Sequence, residues 1–260
     1  MRSKLVLLLL ALASMTGAPF AQRGGAQQGA PAEPRLKALV VSGGCCHDYT
    51  GQNKILVESI RKAVPTVDWM IAYQGGTGTN ARIPLYSDPN WFKGYDIIVH
   101  NECYADVGDE TFIRGITAAH HAGIPSMVLH CSMHSYRSAK IDDWRELMGV
   151  TSRRHTRAHQ ISVKIAAPDD PIMTGLKPDW VTPTDELYVI DKLWPNARAL
   201  ATAVSPEAGN AEYPVVWVND YHGARVFGTT LGHGDTWNEP VFQELLVRGF
   251  KWALKRDPTK

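Results

Sequence analysis

The chain has 260 residues, of which 44% are hydrophobic and 20% charged, and its formal net charge is +1. That composition describes one ordinary globular domain of good size. It contains neither a basic run nor an acidic tail, so it carries no footprint for nucleic acid or for an anionic membrane surface.

The first residues stand apart. Arg2 and Lys4 precede an apolar run over 5–13 that is too short to span a bilayer, and small residues follow. This pattern predicts a secretory signal peptide over 1–21, cleaved after Ala21 or Ala18, with an uncleaved anchor as the alternative reading. Export to the periplasm or beyond is the expectation. Residues 22–34 (QRGGAQQGAPAEP) have nothing to bury and read as a flexible linker. One domain is expected over 35–256.

Within it, 36–41 (LKALVV) reads as a strand broken by Ser42, Gly43 and Gly44, after which come Cys45, Cys46, His47 and Asp48. A helix follows over 52–63 and a second strand over 67–73. Such a Gly-rich turn could hold an anion or a sugar hydroxyl on its backbone N–H groups. Its glycines match neither a dinucleotide fingerprint nor a phosphate loop. A Gly/Thr/Asn/Pro-rich stretch to residue 90 is a candidate lid. Residues 95–100 (YDIIVH) form a third strand ending in His100, Asn101, Glu102 and Cys103. The helix over 111–121 ends in His120 and His121, expected to be solvated.

Gly123 and Pro125 close that helix, and 126–129 (SMVL) is an apolar run without alternation, as in a central strand buried on both faces. It stops abruptly at His130, Cys131, Ser132, His134, Ser135, Tyr136 and Arg137. In open α/β sheets the carboxyl edge of the strands is where ligands bind. A short helix at 142–148 precedes a basic loop over 151–159, whose His155 could face the site but is read first as solvent-exposed. Strand candidates follow at 161–165, 186–191, 199–203, 214–219 and 225–231, the last two separated by a hairpin-like turn at 219–223. A closing helix over 239–255 puts Val241, Leu245, Leu246, Gly249 and Trp252 on its inner face. The βαβ order predicts an α/β fold: a mainly parallel open sheet with helices on both faces.

Chemistry-bearing residues gather at the strand ends: His47 and Asp48, Glu102, the run from His130 to Arg137, and finally His233 and Asp235. Parallel strands would bring His47, Glu102, His130 and His233 into one crevice. Imidazoles with a carboxylate can act as general acid and base, because His titrates near neutral pH. They can equally hold a divalent metal such as zinc, with His47, His130 and His233 as ligands, although no short ligand spacing such as HExxH occurs. The four cysteines, Cys45, Cys46, Cys103 and Cys131, form no CxxC pattern. Adjacent cysteines seldom pair with each other, so buried free thiols or disulfides of open connectivity both remain.

Residues 171–176 (PIMTGL), 184–188 (TDELY), 214–217 (PVVW) and above all 225–233 (RVFGTTLGH), with the Gly43–Asp48 turn and the stretch around His130 and His134, resemble the ThuA-like family, named for trehalose utilisation. The similarity spans about 36–254. It implies a fold similar to class I glutamine amidotransferases and flavodoxin-like sheets. Laying Gly123–Pro125 on the amidotransferase pattern puts His130 where the nucleophilic Cys belongs and Cys131 one place late. His233 and Asp235 resemble the late His-x-Glu. An imidazole cannot form the thioester of glutamine hydrolysis, so loss of glutaminase activity is implied.

The resemblance further implies carbohydrate handling on 3-keto-disaccharides or glycosides supplied by a partner sugar dehydrogenase. Such chemistry calls for acid–base groups, with His130, His233, Asp235 and Glu102 as catalytic candidates. His47, Asp48, His134, Tyr136, Arg137 and Trp237 are the substrate-binding candidates. The alternatives are a non-catalytic sugar-binding domain, stacking pyranose faces on Tyr49, Tyr104, Tyr136 and Trp237, and a metal-dependent hydrolase of another ester or amide.

Overall fold

A computed structural model describes residues 35–260; the expected signal peptide and the whole of the linker lie outside them. The chain forms β1 (Leu36–Gly44), α1 (Tyr49–Ala63), β2 (Val67–Tyr73), β3 (Ile97–Cys103), α2 (Glu110–His121), β4 (Ser126–Leu129) and α3 (Asp143–Met148). There follow β5 (Val150–His155), β6 (Ser162–Ile165), β7 (Trp180–Val181), β8 (Tyr188–Leu193), β9 (Ala197–Val204), β10 (Glu212–Tyr221), β11 (Ala224–Thr229) and α4 (Pro240–Ala253). Nine strands make one sheet in the order β2-β1-β3-β4-β11-β10-β9-β6-β7, and β5 and β8 pair separately.

The α/β class is as expected, with a sharper division of labour. From β2 to β11 every pairing is parallel; from β11 to β7 every pairing is antiparallel. The switch comes at the hairpin of β10 and β11, where Tyr221 faces Ala224 across His222 and Gly223, both at positive φ. A two-residue turn of that kind matches the twist of the flanking strands. The long central runs of β1 and β3 are buried along almost their whole length, as strands covered on both faces must be.

Helices cover both faces. On one, Leu56 and Ile60 of α1 and Phe242, Leu245, Leu246 and Phe250 of α4 pack on Val40, Val99 and Phe227. On the other, Ile113 and Ile116 of α2 and Trp144 and Leu147 of α3 pack on Leu39, Ile98 and Val226. Gly249 is what lets α4 lie close: a Cβ there would stand 2.6 Å from the Phe227 ring.

Two sequence expectations fail here. Residues 150–155 are not a loop but β5, because the antiparallel partner β8 supplies the hydrogen bonds that the polar sequence could not advertise. His120 is not solvated: it is fully buried, and its Nδ1–H donates to the Ile124 carbonyl at 2.7 Å. That leaves Nε2 to accept from His100 Nε2–H at 3.0 Å. His121, next to it, is exposed as expected.

The close fit at Gly249 is directly testable. Gly249→Ala should cost about 1–3 kcal/mol by overpacking Phe227. In denaturant unfolding this appears as a lower midpoint at unchanged slope; an unchanged midpoint would refute the packing argument.

Candidate functional site

The site is built at the carboxyl ends of the parallel strands. β4 is short and stops at Leu129, while its neighbour β3 runs on to Cys103. The backbone groups of β3 beyond that point need new partners. Two serines provide them. Ser132 Oγ donates to the His100 carbonyl at 2.9 Å and accepts from Glu102 N at 3.2 Å. Ser135 Oγ donates to the Glu102 carbonyl at 2.6 Å and accepts from Tyr104 N at 3.0 Å. The polar run after β4 is therefore largely a substitute strand. It winds into a 3-10 turn over His130–His134 that leaves His130 at φ +43.

That backbone swing aims the His130 ring at the end of β11. Its Nδ1–H donates to the Thr230 carbonyl at 2.6 Å, which fixes the tautomer and leaves the Nε2 lone pair free. Nε2 is buried without a hydrogen-bond partner, 3.6 Å from Glu186 Oε2. Burial first, then the neighbouring His47 imidazole, hold the His130 pKa well below the usual histidine range. The ring is accordingly a neutral base at neutral pH.

Two further imidazoles complete the group. His47 follows the β1–α1 turn, its ring centroid 4.7 Å from that of His130 and 5.4 Å from that of His233. The turn is possible because Gly44 takes φ +101, where any Cβ would sit 2.2 Å from the Cys103 carbonyl oxygen. Desolvation lowers His47 to a pKa of about 4. His233 follows β11; its Nδ1 lies 3.4 Å from Glu186 Oε1 and has no hydrogen-bond partner. His130 and His233 are 5.9 Å apart between ring centroids.

The carboxylate at the centre is Glu186, which reading the sequence for strand ends missed. It lies just before β8, a strand of the small sheet, so its approach to the site depends on how that sheet folds over. The signal was the adjacent acid pair in the 184–188 block. Its neighbour Asp185 is fully buried and receives Gly232 N at 2.9 Å, His233 N at 3.1 Å and Glu186 N at 2.8 Å. Asp185, not Asp235, therefore fixes the His233 turn. Desolvation raises its pKa to about 7.

The other expected residues divide clearly. Asp48 caps α1 by accepting from Gly51 N at 3.0 Å, and lines a pocket beside the imidazoles together with Gln52, Asp235 and Trp237. Asp235 is exposed on its rim. His134 stacks on Tyr188 at 4.4 Å and on His155 at 5.5 Å. His155 is exposed, as expected, and at the same time approaches Glu186 to 3.7 Å. Arg137 donates to the Arg153 carbonyl at the neighbouring β5.

Glu102 does not join them. Side chains two apart share a strand face, and Glu102 shares with His100 the face under α2. There it meets His100 Nδ1 at 2.9 Å and Tyr86 Oη at 3.0 Å. His100 Nε2 is spent on His120, and the Tyr86 hydroxyl lies within reach of both His100 Nδ1, at 3.2 Å, and Glu102 Oε1, at 3.0 Å. Nor are the aromatic candidates free for stacking: Tyr49, Tyr104, Tyr136 and Trp237 are all buried. Cys131 is bonded to Cys103, and Cys45 to its neighbour Cys46, against the expectation that adjacent cysteines stay apart. No cysteine nucleophile is left free in this oxidised chain.

The donor set fits a divalent cation. One ligand atom each from His47, His130, Glu186 and His233 lie within 4.8 Å of one another. Tetrahedral coordination at bond lengths of about 2.1 Å would need them roughly 3.4 Å apart. A carboxylate facing an imidazole lone pair without a proton between them is repulsive; a shared cation or proton resolves it.

A parallel-cored α/β sheet with an imidazole–carboxylate cluster at its carboxyl edge defines the class. The family follows from the sequence: the model for ThuA, trehalose utilisation, matches residues 37–253, and the chain belongs to that family. A ThuA-like protein from Parabacteroides merdae is 21% identical, with a TM-score of 0.69 over 87% of this chain and 92% of that one. A ThuA-like protein from Bacteroides uniformis is 14% identical, with a TM-score of 0.64 over 90% and 99%. A cytoplasmic protein from Salmonella typhimurium is 13% identical, with a TM-score of 0.54 over 84% and 99%. At these identities the likeness establishes the fold. No curated protein matches the chain.

The buried imidazoles set the acid limit of stability. His47, His120 and His134 have pKa values lowered to about 4, about 3 and about 3, in each case chiefly by burial. An unfolded imidazole titrates near about 6.5. Between that pH and about 4 the unfolded chain binds protons that the folded chain refuses, so stability rises with pH through this window. Asp185 opposes this, since its raised pKa makes its contribution decline between about pH 4 and 7. Three groups outweigh one. Calorimetry should find Tm falling from pH 7 to 4.5, with net proton uptake on unfolding; a flat Tm would contradict the assignment.

Proposed function

We propose that this ThuA-family chain is a carbohydrate-processing enzyme acting on keto-disaccharides or keto-glycosides by acid–base chemistry at His47, His130, Glu186 and His233. The observation that carries the reading is the locked His130 ring, whose free Nε2 lone pair faces Glu186 at 3.6 Å in a buried setting. The family's description as trehalose utilisation supports a sugar as substrate.

A ketone next to the glycosidic carbon framework acidifies the neighbouring C–H bonds. A positioned base can then remove the proton, and a second group can protonate the departing glycosidic oxygen or move the carbonyl by isomerisation. No covalent nucleophile is needed, which agrees with Cys131 being held in a disulfide. Glu186 is the proton acceptor in this reading, since its carboxylate sits among three imidazole nitrogens at 3.4 to 3.7 Å. His233, half-buried and at the pocket edge, passes the proton to the leaving oxygen. His130 stays neutral and takes a hydrogen bond or a cation through Nε2. A divalent ion held by His47, His130 and His233 would polarise the sugar carbonyl. The adjoining pocket, with Asp48, Gln52, Asp235 and Asn238 on its walls, offers polar partners for sugar hydroxyls.

The test is turnover of a panel of native and 3-oxidised disaccharides by the purified protein, with chelator and with added zinc. Consumption of the oxidised sugars is expected. Glu186→Gln should lower kcat by about 10²–10⁴ with little change in KM, the loss typical of a general base. Binding without turnover in the unmodified protein would instead identify a sugar-binding domain. Undiminished turnover in both Glu186→Gln and His130→Ala would remove the cluster from the chemistry.

A further inference from the structure

Two disulfides meet beside the imidazole cluster, and the reading above makes no use of them. Cys45–Cys46 closes the turn after β1, and Cys103–Cys131 ties the end of β3 to the turn after β4. The second pair follows from the fold, because neighbouring parallel strands bring those two Cα atoms to 5.3 Å. The two bridges are in contact, with Cys45 Sγ 3.7 Å from Cys103 Sγ. They also differ in access. Cys46 is exposed and Cys45 half-buried, whereas Cys103 and Cys131 retain 3% and 6% of their surface. The Cys45–Cys46 pair thus faces solvent while the Cys103–Cys131 pair is interior. Both ends of the run adjoin the site in sequence, since Cys46 precedes His47 and Cys131 follows His130.

We propose that these four cysteines form a thiol–disulfide exchange site, in which Cys45–Cys46 accepts electrons from a dithiol in solvent and passes them to Cys103–Cys131. A thiolate of the dithiol attacks the exposed Cys46 sulfur, and Cys45 leaves as a thiolate. The second thiol of the reductant closes on the mixed disulfide, releasing Cys46 and departing as a cyclic disulfide. Cys45 then attacks Cys103 across the 3.7 Å contact, forming Cys45–Cys103 and expelling the Cys131 thiolate. Finally Cys46 attacks Cys45, restoring the outer pair and freeing Cys103. The net reaction moves two electrons and two protons from the dithiol to the inner pair, each step being attack of a thiolate on a disulfide sulfur.

The arrangement accounts for features that a purely structural pair of bridges does not need. A bond that only braced the β1–α1 turn would have no reason to stand against a second one, with its outer sulfur in solvent. Release of Cys131 would untie the His130 turn from β3 on one side, so the exchange reaches the imidazole cluster through the backbone. Ser132 and Ser135 would still hold that turn to β3 through their hydroxyls.

The test uses the whole chain, excess dithiothreitol and acid-quenched alkylation with peptide mapping. Cys45 and Cys46 should be labelled first, and a Cys45–Cys103 species should appear transiently. Labelling of Cys131 should be about tenfold slower in Cys45→Ser, which lacks the relay thiol. In Cys46→Ser the resolving thiol is missing, so Cys45–Cys103 should accumulate with Cys131 alkylated. The proposal is overturned if Cys46→Ser keeps Cys103–Cys131 intact with Cys45 labelled, or if Cys131 opens equally fast in Cys45→Ser. Should either variant fail to fold, the unmodified protein decides: independent opening of the two pairs with no Cys45–Cys103 species also overturns it. No sugar enters any arm, so the outcome is separate from that of the turnover assay.

Discussion

The hydrogen bond from His130 Nδ1–H to the Thr230 carbonyl is the constraint on which the site depends. It joins the ends of two adjacent parallel strands, β4 and β11, at the point where both leave the sheet. One consequence is chemical: the tautomer is settled, and the Nε2 lone pair is committed to the interior of the cluster. The other is geometric. The ring must turn back over β11, and the backbone pays for this with a positive φ at a residue that has a Cβ. Such conformations persist where the surroundings over-determine them. Here the serine hydroxyls on β3 do so.

Around that ring the protein has separated two kinds of buried polar group. Under α2, His120, His100, Glu102 and Tyr86 hydrogen-bond to one another in a chain that ends on the Ile124 carbonyl, with one Glu102 oxygen left over. At the sheet edge, His130 and His233 each keep a buried nitrogen unpartnered beside a carboxylate. Both arrangements bear the desolvation of several polar groups, and the first compensates most of it internally. The open set is the one that calls for a ligand, and it sits where the sheet topology places ligands.

The small β5–β8 sheet contributes what the main sheet lacks. It brings Glu186 into the cluster and packs Tyr188 against both His134 and His155. Asp185, one residue earlier, anchors the His233 turn through two backbone amides. Adjacent acidic residues thus take opposite roles. One is sealed and structural, with its pKa raised by burial; the other faces three imidazoles.

The sequence by itself determined the class of fold, the family, and three of the four groups in the cluster. It could do so because apolar runs ending abruptly in polar residues mark the carboxyl ends of buried strands, and His47, His130 and His233 each follow such an end. The tertiary structure decided what depends on a side chain's direction or on a distant partner. Glu102 was misread because a residue at a strand's end was assumed to point past it, whereas the alternation of strand faces turns it under α2. His120 looked solvated because nothing local announces the carbonyl and imidazole that receive it. Neither the place of Glu186 in the site nor the strand character of β5 is legible locally, because the pairing of β5 with β8 joins segments more than thirty residues apart. The cysteines show the same limit: their spacing leaves the connectivity open, and the contact of neighbouring strand ends is what joins Cys103 to Cys131.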